Sequence, residues 1–352
     1  MAGSQSDFLR LVNVSRDLGV CFSDLRLDYG RLGRGLFRSS DKFLCRIPNT
    51  LFFPVKDIIL KGSVLMFDPA VKLPWNNNLS QSGFITELIC EYLNLFVLNP
   101  AEQKKWSTLW LLLNNVANMQ LKALMISLAI YPFPSDDSFQ MNDNHSLCLY
   151  LKSRSFYFND QVYSAPFWDL INHSPDAYNF RRTPAFISSP VSCPVGFNSE
   201  LLQRYSPTIS GLGMWMTHLF VSCEYFVYSF PFAIAIPNSP STLVISGLQN
   251  LDQLVKQDDN QSNCTLLRAF PLVSPTVDFS LQYLAQYVPQ DFTSIDLNQL
   301  YKHILLHNLE KRKVLYELCS SVAHVSVTAL FEVVSREIFL IQSRLHELDS
   351  LK

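Results

Sequence analysis

The chain has 352 residues, of which 48% are hydrophobic and 16% charged, and its formal net charge is −2. The charged fraction lies below the roughly 25% of an average globular protein, which excludes a disordered chain; without excess positive charge, no nucleic-acid partner is predicted. The eight cysteines stand singly, with no C-x-x-C pair. They predict buried thiols in a reducing compartment rather than disulfides or a zinc site.

The N-terminal residues contain Asp7 and Arg10 and no apolar core, so no signal peptide is predicted. We therefore expect a cytoplasmic protein, with the nucleus as a further location. The aromatic and β-branched stretch from Leu219 to Ile236 contains Glu224 and Pro231, which favour two buried strands over a membrane span. We expect a monomer without a membrane partner.

Hydrophobic periodicity predicts a mixed N-terminal region. In chain order it contains a short helix (9–18), two extended pieces (19–22 and 24–27), a glycine-rich turn (29–37) and a strand (43–48) that Pro48 closes. Helical patterns follow over about 81–131, and the segment 109–130 is apolar on all sides, which predicts one buried helix. Residues 132–145 are typical of a loop.

Strand character returns at 146–158 and continues in short pieces to about 247, and the polar residues 252–263 predict a linker. From 295 onward three helical patterns follow one another. This order predicts an α+β fold in two domains. The first, 1–250, consists of short strands with a helical insertion at about 75–145, and the second, 251–352, is all helical.

Sequence signatures of common enzymes are missing, including G-x-S-x-G, H-E-x-x-H and the phosphate-binding loop. His303 and His307 lie one helical turn apart, but two histidines alone do not make a metal site, so no metal is predicted.

Three short segments contain residues that could bind a ligand, but each segment alone also has a purely structural explanation. The glycines of Gly33-Arg34-Gly35 allow a ligand to approach the backbone, or simply form a tight turn. Arg154, in Ser153-Arg154-Ser155-Phe156, can pair with a carboxylate or lie on a solvated strand face. In the segment from Pro166 to Ser174, Asn172-His173 can hydrogen-bond a purine edge or cap a helix, and Asp169 can reach a cationic group.

Taken in this order, the segments resemble the signature of SET-domain protein-lysine methyltransferases. The resemblance is to the class of the Rubisco large-subunit, ribosomal-protein and cytochrome c lysine methyltransferases, of which this chain looks like a divergent member. That class combines a G-x-G-L turn, a strand ending in Ile-Pro, an S-R-x-F segment and P-x-x-D-x-x-N-H-S. Here these are Gly33 to Leu36, Ile47-Pro48, Ser153 to Phe156 and Pro166 to Ser174.

The resemblance implies a SET-type β-fold and methyl transfer from S-adenosyl-L-methionine to a lysine of a protein substrate. It places Arg154 near the carboxylate of the cofactor, the Asn172-His173 pair near the adenine, and Asp169 at the substrate channel. It also implies that the helical C-terminal domain binds the substrate, for which a ribosomal protein, an elongation factor or cytochrome c are candidates. The implied cofactor-binding residues are Gly33, Arg34, Gly35, Arg154, Asn172 and His173.

One departure concerns the tyrosine that the class places beside the reacting methyl group. Counting back from the apolar strand at 232–236 puts Cys223 at that position, and another register brings Tyr225 or Tyr228 there. A cysteine in place of the tyrosine suggests a second hypothesis, in which the fold persists as a catalytically impaired scaffold for protein interaction.

Overall fold

The computed structural model describes residues 3–30, 33–39, 44–71, 82–134, 138–158, 161–188, 200–205, 209–236, 242–247, 264–267, 269–288 and 294–350. The chain divides into two compact units. The first contains Met1–Thr108 and Gln140–Pro207, and the second contains Leu109–Phe139 and Thr208–Lys352. The predicted domain boundary at 250 and the predicted linker at 252–263 lie outside the described residues.

Nine α-helices lie in the described ranges. They are α1 (Gln5–Ser15), α2 (Ser82–Tyr92), α3 (Pro100–Leu113), α4 (Met119–Ser127), α5 (Asp143–Lys152), α6 (Gly211–His218), α7 (Val277–Ala285), α8 (Ser294–Ser320) and α9 (Val325–Ser350).

The strands of the first unit are short. They are β1 (Cys21–Ser23), β2 (Leu25–Gly30), β3 (Gly33–Arg38), β4 (Leu44–Pro48), β5 (Phe53–Pro54), β6 (Ile58–Lys61), β7 (Val64–Phe67), β8 (Phe156–Phe158), β9 (Gln161–Ser164), β10 (Asn172–His173), β11 (Arg181–Arg182), β12 (Phe186–Ser188) and β13 (Leu202–Gln203).

These strands form several small sheets. The order β1-β4-β12-β11 is antiparallel throughout, and it buries Cys45, Ile47 and Ile187 on one face. β2 and β3 form a hairpin, as do β6 and β7, whereas β10 pairs in parallel with β13. Successive side chains of a strand point to opposite faces of the sheet, so alternating apolar residues give a sheet one apolar face that is buried.

The second unit combines β14 (Val227–Tyr228), β15 (Phe232–Ala235), β16 (Thr242–Ile245), β17 (Cys264–Leu267) and β18 (Pro271–Val273) with long helices. β15, β16 and β17 form one sheet, and β14 pairs with β18. Their apolar side chains share a core with α7, α8 and α9 that includes Leu243, Phe270, Tyr301 and Ile341.

The predicted α+β class is confirmed, as are the helices within the insertion and the helical C-terminal part. Strands β14 and β15 occupy part of 219–236, where two strands are predicted. None of the helices in the described ranges is long and apolar enough to cross a membrane.

Three local predictions are wrong. The first part of the strand predicted at 146–158 is helix α5, because Asn142 caps its N-terminus by accepting from His145 N at 2.8 Å, and Leu147 and Leu151 bury one helical face. Gly33 and Gly35 belong to strand β3 rather than to a turn. The single buried helix predicted at 109–130 is interrupted after Leu113, and Val116 is 81% exposed.

A fourth correction concerns the C-terminus. The three helical patterns predicted from 295 onward form two helices, since the last two patterns belong to the continuous helix α9. Val333, Val334, Glu337 and Ile341 are all buried, so one buried helical face runs through both patterns.

Candidate functional site

A left-handed turn at Phe167 leads into strand β10. Phe167 has a φ of 68°, which a bulky residue keeps only where packing holds it. Its buried ring contacts those of Phe8, Phe22 and Tyr92, with centroids 5.8, 5.3 and 5.0 Å away. One turn of 3-10 helix, Trp168–Leu170, follows. Aromatic packing therefore fixes the entry to the segment that carries the Asn-His pair.

Asn172 joins this segment to strand β3, 138 residues earlier in the chain. Its Nδ2 donates to the Arg34 carbonyl at 3.3 Å and to Glu200 Oε1 at 2.5 Å. A Cβ on Gly35 would lie 2.6 Å from Glu200 Oε1 and 2.9 Å from Asn172 Nδ2, closer than real side chains allow. A side chain at position 35 would therefore displace the ends of the Glu200 and Asn172 side chains.

The neighbouring Arg34 is anchored to helical residues that follow α2. Its Nη2 donates to the carbonyl of Phe96, and its guanidinium carbon lies 5.3 Å from the centroid of the Phe96 ring. Nη1 is buried and has no hydrogen-bond partner among the described residues. One donor of Arg34 therefore remains available inside the site.

Arg154 and Asp169 form a partly buried ion pair. Arg154 Nη1 lies 3.2 Å from Asp169 Oδ2 and 3.3 Å from the Asp169 carbonyl oxygen. The hydroxyl of Tyr92 donates to the other carboxylate oxygen, Oδ1. The guanidinium carbon lies over the Tyr150 ring, 5.0 Å from its centroid, and Nε is buried without a partner among the described residues.

His173 pairs with a tyrosine that none of the sequence motifs singles out. The backbone N–H of Tyr205 donates to His173 Nδ1 at 3.2 Å, and the two ring centroids are 4.8 Å apart. The Tyr205 hydroxyl donates to the Ile171 carbonyl at 3.3 Å. The parallel pairing of β10 with β13, in which His173 faces Gln203, brings Tyr205 to this position.

Burial dominates the electrostatics of the cluster. It raises the pKa of Tyr205 to about 12, and it raises the pKa of Tyr92 well above its ordinary value, with the nearby Asp169 carboxylate adding to the shift. Both hydroxyls are therefore neutral at physiological pH. Burial also raises the pKa of Glu200, and the hydrogen bond from Asn172 opposes the shift.

The structure thus brings together most of the predicted cofactor-binding residues within the first unit, along with Asp169. Gly33, at the start of β3, pairs with Gly30 of β2. Asp169 is nevertheless occupied by two partners, Tyr92 and Arg154. Its predicted place at a substrate channel stays a prediction.

The three residues predicted at the tyrosine position belong to the second unit. Cys223 is exposed, and its carbonyl accepts from Arg336 Nη2 at 3.4 Å. Tyr225 is exposed, and the half-buried Tyr228 on β14 stacks on Phe226 with a centroid separation of 6.3 Å. Their catalytic role stays a prediction.

Tyr205, Glu200 and Tyr92 are the residues of the cluster that the sequence did not reveal. Tyr205 follows the two-residue strand β13, and the polar Gln203 and Arg204 give this segment little strand signal in the sequence.

When the chain is compared with known proteins, similarity is found among solved structures. No protein-family model matches the chain, and no curated protein matches it. Among solved structures, the chain is similar to Rubisco LSMT bound to sinefungin and monomethyllysine, at 13% identity and a TM-score of 0.44, covering 99% of this chain and 92% of that one. It is also similar to the SET domain of LSMT bound to lysine and AdoHcy, at 13% identity and a TM-score of 0.42, over 97% and 91% of the two chains.

The function proposed below rests on the side chains of the cluster in the first unit.

Proposed function

We propose that the first unit binds S-adenosylmethionine and that the protein transfers the methyl group to a lysine of a protein substrate. The observation that carries the proposal is the hydrogen bond from Asn172 Nδ2 to the Arg34 carbonyl. It joins the glycine-containing strand to the Asn-His segment, while Asp169, three residues before Asn172, holds Arg154. Three segments that are ambiguous alone thus lie in one cluster.

The residues of the cluster fit the proposed cofactor. Of the buried polar atoms that have no hydrogen-bond partner among the described residues, three belong to this cluster: Arg34 Nη1, Arg154 Nε and Gln203 Oε1. Unpaired buried donors and acceptors are costly unless a ligand satisfies them. The cofactor offers a carboxylate for a guanidinium and an adenine edge for amide and backbone groups.

Each residue then has a distinct task. Arg154 would hold the carboxylate end, and Asn172 with His173 would hold the adenine end. When bound, S-adenosylmethionine supplies a sulfonium methyl group that a neutral amine can accept. Tyr205 presents a neutral hydroxyl oxygen, which can accept weak C–H···O contacts from a polarised methyl group. A hydroxyl with a pKa of about 12 does not act as a base at neutral pH.

The target lysine must lose its proton before it reacts, and desolvation of the ammonium favours that loss. Alignment of the amine with the methyl group then supplies much of the rate. A ribosomal protein, an elongation factor or cytochrome c remain the proposed substrates, with the helical second unit as the proposed surface for them. A monomeric state and a cytoplasmic or nuclear location also remain proposals.

The direct test is transfer of a labelled methyl group from S-adenosylmethionine into the proteins of a cell extract. We expect lysine methylation by the wild-type protein and its loss in Tyr205→Phe, which keeps the ring. Tyr178→Phe is the matched control, since Tyr178 lies in the same unit and its side chain is exposed. Cofactor binding without transfer by the wild-type protein would overturn the catalytic proposal and support the scaffold hypothesis.

A further inference from the structure

Tyr92 is buried at the end of α2, a helix of the insertion, and its hydroxyl contacts a charged group. Its ring stacks on Phe96 at 5.5 Å and meets the edge of Phe167 at 5.0 Å, and the whole residue is only 1% exposed. The hydroxyl donates to Asp169 Oδ1, and the Asp169 side chain is 1% exposed. A carboxylate so buried requires hydrogen-bond partners on both oxygens.

The two oxygens of Asp169 have different partners. Oδ1 accepts from Tyr92, and Oδ2 accepts from Arg154 Nη1 at 3.2 Å. The hydrogen bond from Tyr92 therefore fixes the rotation of the carboxylate about its bond to Cβ. Asp169 contacts the Arg154 guanidinium only at Nη1. The position of the carboxylate therefore determines which other nitrogens of the guanidinium are free to bind a ligand.

The open edge carries Nε, which is buried and has no partner among the described residues. Nε and Nη2 form the side of a guanidinium that can donate two parallel hydrogen bonds to one carboxylate. The guanidinium carbon also lies over the Tyr150 ring, 5.0 Å from its centroid. Asp169 thus sets the orientation in which Arg154 meets a ligand.

We infer that Tyr92 is a positioning residue for cofactor binding, which acts through Asp169 on Arg154. The inference rests on the proposed function, and it gives the helical insertion a part in recognising the carboxylate end of the cofactor. Tyr92 suits the role because its hydroxyl stays protonated, and thus remains a donor, at every pH at which the protein works. Phenylalanine at this position would keep the ring contacts and remove only the donor.

The test compares two ligands that differ in the amino-acid end, which contains the carboxylate. S-adenosylhomocysteine carries it, whereas 5′-methylthioadenosine has the same adenosine thioether without the amino-acid end. We expect Tyr92→Phe to weaken the first by about tenfold in calorimetry and to leave the second within about twofold of wild type. A merely structural role would weaken both ligands equally, and that outcome would overturn the inference.

Tyr301→Phe is the matched control. Its buried hydroxyl donates to the Leu272 carbonyl at 2.7 Å within the second unit, and its ring, which meets the edge of Phe270, is kept. We expect both ligands to bind this variant as they bind the wild type. A similar loss in both variants would show that the loss of any buried tyrosine hydroxyl has this effect, which would overturn the specific role of Tyr92.

A double-mutant cycle guards against a partly unfolded variant. In an Arg154→Lys background, Tyr92→Phe is expected to cause no further loss of S-adenosylhomocysteine binding, because the group it positions is gone. Additive losses would contradict the inference. Absence of S-adenosylhomocysteine binding by the folded wild-type protein would contradict the proposed function itself. If the wild-type protein binds it and Tyr92→Phe binds it equally well, only the inference about Tyr92 is contradicted.

Discussion

Asn172 lies so close to Gly35 that the two positions constrain each other. A Cβ on Gly35 would meet Asn172 Nδ2 at 2.9 Å and Glu200 Oε1 at 2.6 Å. The Gly35 backbone and the Asn172 side chain come from segments that are far apart in the sequence. A substitution that disturbs their contact therefore tests whether the two segments form one cofactor site.

Gly35→Ala is therefore expected to push apart Asn172 and Glu200 and to weaken S-adenosylhomocysteine binding by about tenfold or more. Gly83→Ala is the matched control. Gly83 lies in helix α2, and a Cβ added there would meet nothing within 4 Å. We expect unchanged binding and a gain in stability of up to about 1 kcal/mol there. Equal binding by the two variants would contradict the role of Gly35.

Glu200 provides a prediction of pH-dependent stability. Burial raises its pKa in the folded state above the ordinary value of about 4.5, with Asn172 opposing the shift. The folded protein therefore holds this proton more tightly than the unfolded chain does. The associated stability is present below pH 4.5 and is lost as the pH rises through the raised pKa.

Glu200→Gln removes this titration and keeps an acceptor for Asn172. The free energy of unfolding of the variant, relative to wild type, is expected to increase between about pH 4 and about pH 7. Urea unfolding at several pH values within that range measures the difference. A difference that stays constant with pH would show that Glu200 has an ordinary pKa.

Much of the fold follows from local pattern, and the elements that the pattern misses depend on caps or on tertiary packing. Helices α8 and α9 have long apolar stripes, which is why the sequence reveals them. The sequence predicts a strand where helix α5 begins, whereas the cap at Asn142 and the burial of Leu147 and Leu151, one helical turn apart, favour the helix. The grouping of 109–139 with the C-terminal unit depends on tertiary packing that no local pattern records.

The site was predictable in its motifs and not in its contacts. Arg154, Asn172 and His173 stand in recognisable segments. Tyr92 and Tyr205 are identified only when the chain is folded, because the first lies 77 residues from its partner Asp169 and the second reaches His173 through a parallel two-residue pairing. Short parallel pairings carry almost no sequence signal.

Tyr205 gives a prediction on catalysis. Tyr205→Phe is expected to reduce the rate of methyl transfer by about a hundredfold. The pH dependence of the remaining rate should match that of wild type, because a hydroxyl whose pKa is about 12 does not titrate in the working range. A shift of the pH profile in the variant would assign a proton-transfer role to Tyr205 instead.

The ion pair of Arg312 and Glu337 gives a prediction for the second unit. Arg312 Nε donates to Glu337 Oε2 at 2.8 Å, and both side chains are almost wholly buried. Burial raises the pKa of Glu337 against the opposing effect of Arg312, and it lowers the pKa of Arg312. Desolvation thus offsets much of the attraction between them.

Removing one partner leaves a buried charge without its counterpart. Glu337→Gln is expected to cost about 3–5 kcal/mol of unfolding free energy, whereas the double variant Arg312→Met with Glu337→Leu should lie much closer to wild type. Urea unfolding of the three proteins measures both values. A single variant as stable as wild type would show that the pair does not hold these helices together.

Calorimetric titration of the folded wild-type protein with S-adenosylhomocysteine tests most directly whether the first unit is a cofactor site. We expect binding with a Kd of about micromolar magnitude and a loss of at least about tenfold in Asn172→Ala. Absence of binding by the wild-type protein, or equal binding by Asn172→Ala, would contradict the proposed site.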